Sequence, residues 1–463
     1  MIDELRLANF KSWKAPKPIQ LRAITGLFGA NSSGKTSVLQ VLLLLKQTSE
    51  SLDRSRVLHL GDDRSLVDLG TFFDVVYAHE TKRDVRLGLS WTLDEPLEIE
   101  DPATKQTAML SSSAMTFDVA ISEQQRGGAP QLLVDQFVYQ LDSAAFGMKR
   151  QGSDRAGETG ESEDRYDLVS KGIALKRKRG RPWPLPPPVK GYGFPDQALN
   201  YFQDADFLDD LGLEFEELMA TIHYLGPLRE IPHRSYVWGG ERPSDVGSRG
   251  ERAIEALLAA SSEKRKLGRG EGQGRRYVRF ERRIAEWLKQ MGLIDSFVVR
   301  SIGRYRKEHE VRVRKTAKSP EVLLPDVGFG VSQVFPVLVQ CYYVPEGSIL
   351  LFEQPEIHLH PSVQADLADV FIDAVQERDL QIIVESHSEH FVRRLQRRIA
   401  EEKNGLGESD VGLYFTNTTG EGSQLTRLQL DSYGNIKNWP DGFFGDQLGD
   451  LTAMNIAAAD REK

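Results

Sequence analysis

Cysteine is almost missing from this chain: there is one, Cys341. That excludes an internal disulfide framework and fits a reducing compartment. Cysteines and histidines do not cluster at the spacing of a structural zinc site. Long apolar runs are also missing. The most apolar stretch, residues 38–45, falls far short of the ~20 residues a membrane-spanning helix needs. The opening Met1-Ile2-Asp3-Glu4 is acidic and lacks the apolar centre of a signal peptide. Positive charge is not in excess. The net charge of −9 excludes a uniformly basic nucleic-acid binder, although it leaves room for a local basic patch. No internal repeat and no sustained heptad run is visible, which argues against a solenoid or a coiled-coil arm. These absences predict a cytoplasmic protein with no membrane attachment.

What is present is ordinary globular material. Of 463 residues, 40 % are hydrophobic and 27 % charged, enough for two or three domains with a large core. Residues 5–7 and 19–28 read as strands, and residues 37–46 as a helix apolar enough to be buried. From about residue 83 to residue 142 apolar and polar positions alternate, as in Val85-Arg86-Leu87-Gly88-Leu89 and Phe137-Val138-Tyr139-Gln140-Leu141. This pattern predicts an antiparallel meander of half-buried strands. Residues 152–164 read as a mobile acidic loop. The basic run 176–181, followed by the proline-rich residues 182–188, reads as a solvated linker. Helical signals return at 215–220 and 251–260. Residues 264–283 are the most basic stretch, and residues 300–318 suggest a hairpin. From residue 349 strand and helix alternate: strands at 349–352 and 381–384, helices at 363–375 and 390–399. That order is the βαβ signature of a parallel sheet.

Chemistry is most legible at Gly29-Ala30-Asn31-Ser32-Ser33-Gly34-Lys35-Thr36, followed by Ser37. The segment fits the phosphate-binding loop G-x-x-x-x-G-K-S/T at every position, between an apolar strand and an apolar helix. Its glycines let backbone N–H groups turn inward around phosphate oxygens. Lys35 brings a charge to the β- and γ-phosphates, and the Thr36 hydroxyl suits Mg²⁺. A second signal is Ile349-Leu350-Leu351-Phe352-Glu353-Gln354-Pro355-Glu356, an apolar strand that ends in acids. Glu353 stands where a nucleotide-hydrolysing fold places its Mg²⁺-organising carboxylate. Gln354 stands where a water-polarising carboxylate is usual. A neutral amide orients a water but does not take its proton, so either turnover is slow, or a neighbour such as Glu356 helps, or orientation of the water suffices. His387, in Val384-Glu385-Ser386-His387-Ser388, ends the next strand within reach of a γ-phosphate or an attacking water. Gly330, Ser332 and Gln333 open another helix, where N–H groups and a hydroxyl can meet phosphate.

As a set, these motifs resemble the ABC-type ATPase heads of the RecF, SMC and OLD group. Leu7-Ala8-Asn9-Phe10-Lys11-Ser12 is similar to that group's first strand, and Gly330-Val331-Ser332-Gln333 to a degenerate ABC signature. Glu356-Ile357-His358-Leu359-His360-Pro361 resembles the D-loop of OLD-like ATPases, and His387 the switch histidine. Leu225-Gly226-Pro227-Leu228-Arg229, Val246-Gly247-Ser248-Arg249-Gly250-Glu251 and the tail 431–444 resemble a bacterial subfamily with a small C-terminal domain of unknown function.

The resemblance implies an α/β fold, an ABC/SMC-type ATPase head with an antiparallel β lobe and a helical, basic insertion. The boundaries expected are 1–80 (first half of the head), 81–225 (β lobe and linker), 226–320 (insertion), 321–430 (second half of the head) and 431–463 (small C-terminal segment). It implies ATP and Mg²⁺ as cofactors. Two heads would form a homodimer around sandwiched ATP, open to higher oligomers, with the Lys35 loop of one facing Gly330 and Ser332 of the other. The coupling glutamine of such heads has no clear counterpart, and residues 68–74 are the candidate region. OLD-family nucleases continue into a Toprim domain; here no acidic nuclease constellation follows the head. The resemblance therefore implies a separate effector, a nuclease or toxin, in anti-phage defence. Two alternatives stand beside this: a RecF-type DNA-clamping ATPase that tracks phosphates with residues 264–283, and a non-hydrolysing scaffold with ATP as glue. A transporter subunit fits poorly, because the signature is degenerate and the insertion lateral.

Overall fold

The N-terminal half builds an antiparallel sheet. The computed structural model describes residues 1–99, 110–151, 164–178, 183–269, 276–303, 306–440, 443, 452–454 and 457. The chain runs through β1 (Ile2–Ala8), β2 (Ile19–Gln20), β3 (Ile24–Gly29), α1 (Lys35–Ser49) and α2 (Phe72–Val75). It continues with β4 (Val85–Ile99), β5 (Leu110–Arg126), β6 (Ala129–Leu141), β7 (Ala144–Arg150) and β8 (Tyr166–Lys171). Seven of these strands form one antiparallel sheet in the order β2-β1-β4-β5-β6-β7-β8. In β4 the residues Val85, Leu87, Leu89 and Trp91 are buried at alternate positions, as the pleat requires. Residues 19–28, expected as one strand, are two. Arg22 and Thr25 close a turn between them, with the Arg22 N–H donating to Thr25 Oγ1 at 2.8 Å. β2 therefore joins the antiparallel sheet and β3 enters another.

The second half supplies α3 (Asp196–Tyr201), α4 (Phe207–Ala220), β9 (Ile222–Leu225), β10 (Tyr236–Val237), α5 (Ala253–Ser262), β11 (Lys266–Arg269), β12 (Arg276–Arg279) and α6 (Phe280–Gln290). Next come β13 (Ser296–Ser301), β14 (Glu308–Arg314), β15 (Glu321–Leu323) and α7 (Phe329–Tyr343). The chain then alternates through β16 (Ile349–Glu353), α8 (Pro361–Arg378), β17 (Gln381–Glu385), α9 (Glu389–Ala400), β18 (Val411–Thr419) and β19 (Gly422–Leu428). The central sheet has the order β19-β18-β3-β17-β16-β9, parallel except for the β18–β19 hairpin.

Both faces of this sheet are covered, which is why its strands read as unbroken apolar runs. Alternate residues go to opposite sides. Ile349, Leu351 and Ile383 join α1 and the antiparallel lobe in one core. Leu350, Phe352, Ile382 and Val384 join α5 to α9 in the other. α1 lies between the two sheets, so Val38, Leu39, Val41, Leu42, Leu43 and Leu44 are all fully buried, on every side of the helix.

The basic stretch 264–283, the phosphate-tracking segment of the clamp alternative, is in part tied into the fold. Where it is described, it forms the β11–β12 hairpin and the first turn of α6. Arg283 is buried at 3 % exposure and ion-pairs with Asp373 and Glu377 of α8. Arg265 donates to the Tyr343 carbonyl, and Arg282 pairs with Glu286. The helical period turns part of the linear charge inward. The expected loop at 152–163, residues 179–182 of the basic and proline-rich run, and residues 270–275 lie outside the described residues.

Candidate functional site

The phosphate-binding loop leaves β3 at Gly29, whose φ of 139° belongs to glycine. A Cβ there would sit 2.1 Å from the Thr416 carbonyl oxygen on β18. Ser32 (φ 58°) and Gly34 (φ 93°) continue the curl in the left-handed region. α1 starts at Lys35, so a helix N-terminus faces the loop's interior. Lys35 Nζ is folded back, donating to the carbonyls of Gly29 (3.1 Å) and Ala30 (2.7 Å). Burial lowers its pKa, while Glu385 and Glu356 oppose that shift. Asn31 through Ser37 line a cavity of about 460 Å³ together with Gln354, Glu385 and His387.

Register brings the acids together. β16 and β17 pair in parallel with Glu353 opposite Glu385. Glu385 Oε2 accepts from the Thr36 hydroxyl at 2.7 Å, and its Oε1 lies 4.0 Å from Lys35 Nζ. Sequence reasoning took His387 from this strand end and passed over Glu385. The available signal was the one used for Glu353, an acid that closes an apolar strand. Glu353 is buried, and burial together with Glu385 pushes its carboxyl up to about 7. The Tyr224 hydroxyl of β9 works against that rise. Gln354 follows in the left-handed region (φ 43°), its N–H donating to the Glu385 carbonyl at 2.8 Å. Glu356 Oε1 accepts the backbone N–H of His387 at 2.6 Å, which ties the two strand ends together. Burial raises the Glu356 carboxyl. Burial and the Lys35 charge lower His387, which favours a neutral imidazole.

Two further contributors come from the turn after β1. Lys11 and Ser12 line the same cavity, and Lys11 Nζ donates to Gln40 Oε1 at 2.8 Å. Trp13 Nε1 donates to the Gly34 carbonyl, and Ser423 Oγ to Ser12 Oγ, which clamps the turn over the loop. Gly330, Ser332 and Gln333 are not among the residues that line this cavity. They sit in the first turn of α7, where the Ser332 hydroxyl donates to the Phe329 carbonyl at 2.7 Å. Ser332 borders a separate recess with Tyr236, Phe335 and Pro336. The ring of His358 meets Phe329 edge-on, so the 356–361 segment lies against the start of α7. In the candidate coupling region 68–74, Asp74 caps α2 through Thr71, and the adjoining Val75 carbonyl accepts from the Lys11 N–H. No side chain of that region lines the cavity.

A curled loop at a helix N-terminus, with buried carboxylates at the ends of adjacent parallel strands, defines a P-loop nucleotide-binding fold. The chain belongs to the AAA ATPase domain family, which matches residues 1–135 and 280–392. That membership supports an ATP-binding ATPase. Residues 406–454 match a second family, described as a protein of unknown function (DUF3696), which includes β18 and β19 of the central sheet. No curated protein matches the chain.

Among the solved structures similar over almost the whole chain are three SMC heads. One is an SMC head bound to the C-winged helix domain of ScpA: 11 % identity, TM-score 0.44, covering 93 % of this chain and 98 % of that one. Another is an SMC head domain from Thermotoga maritima: 12 % identity, TM-score 0.36, 92 % and 99 % covered. The third is an Smc head domain with an extended coiled coil, bound to the C-terminal domain of ScpA derived from Pyrococcus furiosus: 10 % identity, TM-score 0.41, 99 % and 99 % covered. Among the described residues no helix is long and apolar enough to cross a membrane.

Proposed function

We propose that this ATPase is a dimerising switch: two heads close on ATP and regulate a separate effector, a nuclease or toxin, in anti-phage defence. One observation carries the dimer. The Lys35 cavity gathers a phosphate loop, the Glu385 carboxylate, the Gln354 amide and a histidine, while Gly330, Ser332 and Gln333 open a helix elsewhere in the same chain. A second copy that presents its α7 turn would complete the site. The effector and the defence role are supported by the resemblance of the 225–229, 246–251 and 431–444 segments to the RecF/OLD-like subfamily.

The residues present fit Mg²⁺. Thr36 Oγ1 and Glu385 Oε2 are hydrogen-bonded, Glu353 lies beside them, and all are hard oxygen donors. Among the described residues no group of three or more His, Cys, Asp or Glu could hold a metal on its own, which suits an ion completed by substrate phosphates and water. When bound, the ion would neutralise charge on the phosphate oxygens. Lys35 would leave the Gly29 and Ala30 carbonyls for the phosphates. Gln354 and a neutral His387 would orient the attacking water, and Glu356 would hold the His387 loop in place. Positioning and charge neutralisation dominate phosphoryl transfer. An amide at Gln354 orients the water without accepting its proton, which slows hydrolysis and prolongs the closed state.

The test is steady-state ATP turnover and ATP-dependent dimerisation of the purified chain, against Lys35→Ala and with or without double-stranded DNA. Loss of ATP binding in Lys35→Ala, together with ATP-driven dimers, is expected. Unchanged nucleotide affinity in that variant refutes the assignment. Tight binding without any turnover would favour the scaffold reading, and DNA-stimulated turnover with steep salt dependence would favour the clamp reading.

A further inference from the structure

Arg229 is the anomaly of the site's far side. It ends the segment 225–229 that leaves β9, the strand beside β16. Its chain neighbours Leu228 and Ile231 are 74 % and 72 % exposed, yet Arg229 is 7 % exposed. Both Nη1 and Nη2 are buried without a hydrogen-bond partner. An unpaired guanidinium in such a place costs folding free energy, and a second state that pairs it would be favoured by relief of that cost. The ionisable groups that act on it are the Tyr224 phenol and the carboxyls of Glu353 and Glu356. Glu356 carries the matching defect: Oε1 accepts from His387, while the buried Oε2 has no partner. An outside anion is disfavoured there by the two carboxylates, so the fitting acceptor is Glu356 itself.

The loop that holds Arg229 is braced. The Gly226 N–H donates to the Ser248 carbonyl at 2.7 Å, and the Glu230 N–H to the Arg249 carbonyl at 2.8 Å. Gly250, in the bracing loop, lies so close to α7 that an added Cβ would meet the Pro336 ring at 2.6 Å. The two segments that looked family-specific in the sequence are therefore one assembly, with α7 on one side and the acids of β16 on the other.

We propose that Arg229 is a positioning residue whose guanidinium closes onto Glu356 Oε2 when nucleotide fills the Lys35 cavity. That contact fixes Glu356, and through it the His387 loop, in the working geometry. This inference rests on the ATPase reading and adds to it a residue that does not touch the nucleotide.

The test is a double-mutant cycle in the full chain with Arg229→Met, Glu356→Gln and both together. Melting is followed without nucleotide and with Mg²⁺ plus the non-hydrolysable analogue AMPPNP. The two substitutions should be weakly coupled without nucleotide, through the charge of Glu356 alone, and much more strongly coupled with it, the double variant losing no more of the AMPPNP-induced shift than the worse single one. Turnover of Arg229→Met should fall at least tenfold with KM within threefold, and Arg229→Lys should recover part of it. Additivity in the loaded state, or equal coupling in both states, overturns the proposal. If Arg229→Met does not fold, the same cycle with Arg229→Lys decides. An AMPPNP shift with an additive cycle removes this inference alone; no shift in the unmodified chain removes the ATPase reading and this inference with it.

Discussion

Lys35 and Glu385 form a resting pair, and that makes the phosphate loop a testable electrostatic unit before any nucleotide arrives. Both side chains are 3 % exposed and their charged atoms are 4.0 Å apart. At an effective dielectric near 20, that separation is worth about 4 kcal/mol of attraction. The burial that lowers the Lys35 pKa outweighs that attraction, so the cost of breaking the pair comes from the buried carboxylate left without its cation. Lys35→Met removes the cation, keeps the bulk, and leaves Glu385 buried with only the Thr36 hydroxyl. The nucleotide-free chain should lose about 2 kcal/mol in urea unfolding. Adding Glu385→Gln should return at least half of that, because a neutral amide still accepts from Thr36 and no longer needs the cation. Neither Lys35 variant should bind ATP in equilibrium titration. If the two substitutions instead destabilise additively, Lys35 and Glu385 do not support one another and the resting geometry described here is wrong.

Four further outcomes follow from the same geometry. Gly29→Ala should cost well over 2 kcal/mol and abolish nucleotide binding, because its Cβ would strike the Thr416 carbonyl; a folded, ATP-binding variant in equilibrium titration would refute this. Gln354→Gly should stabilise the resting chain by about 1 kcal/mol, since φ at this residue is 43°, while lowering turnover; both are read from urea unfolding and phosphate release. The Glu353 carboxyl is raised from 4.5 to about 7, so between those pH values the unfolded chain has released a proton that the folded chain keeps. Stability of the metal-free chain should therefore fall by up to about 3 kcal/mol as pH rises through this window, and Glu353→Gln should flatten that slope in a pH series of unfolding curves. Leu42→Ala, in the helix between the two sheets, should cost about 2–5 kcal/mol in unfolding while leaving ATP affinity near normal in the folded fraction.

How far the site was legible depended on whether its chemistry is local in the chain. The loop 29–36 and the acid-ended strand 349–356 are contiguous, so spacing alone pointed to both, and the all-round apolar face of α1 announced its burial between layers. Glu385 was overlooked because its role depends on parallel register. Only the pairing of β16 with β17 sets it opposite Glu353 and beside Thr36, 349 positions away in sequence. The basic stretch 264–283 was only partly legible, for a different reason. Charge counted along a line does not reveal that Arg283 turns inward to Asp373 and Glu377 of α8. The split of residues 19–28 into β2 and β3 was hidden because apolar residues continue on both sides of Arg22, and only the Thr25 hydroxyl marks the turn. Arg229 combines both difficulties. Its segment was conspicuous as a string of residues, yet nothing in the string says that β9 borders β16, that the side chain turns away from its exposed neighbours, or that the buried oxygen nearest in character to its need belongs to Glu356, 127 residues on. Where a site is assembled from strand ends, sequence shows which acids and bases close the strands, and the strand order decides which of them meet.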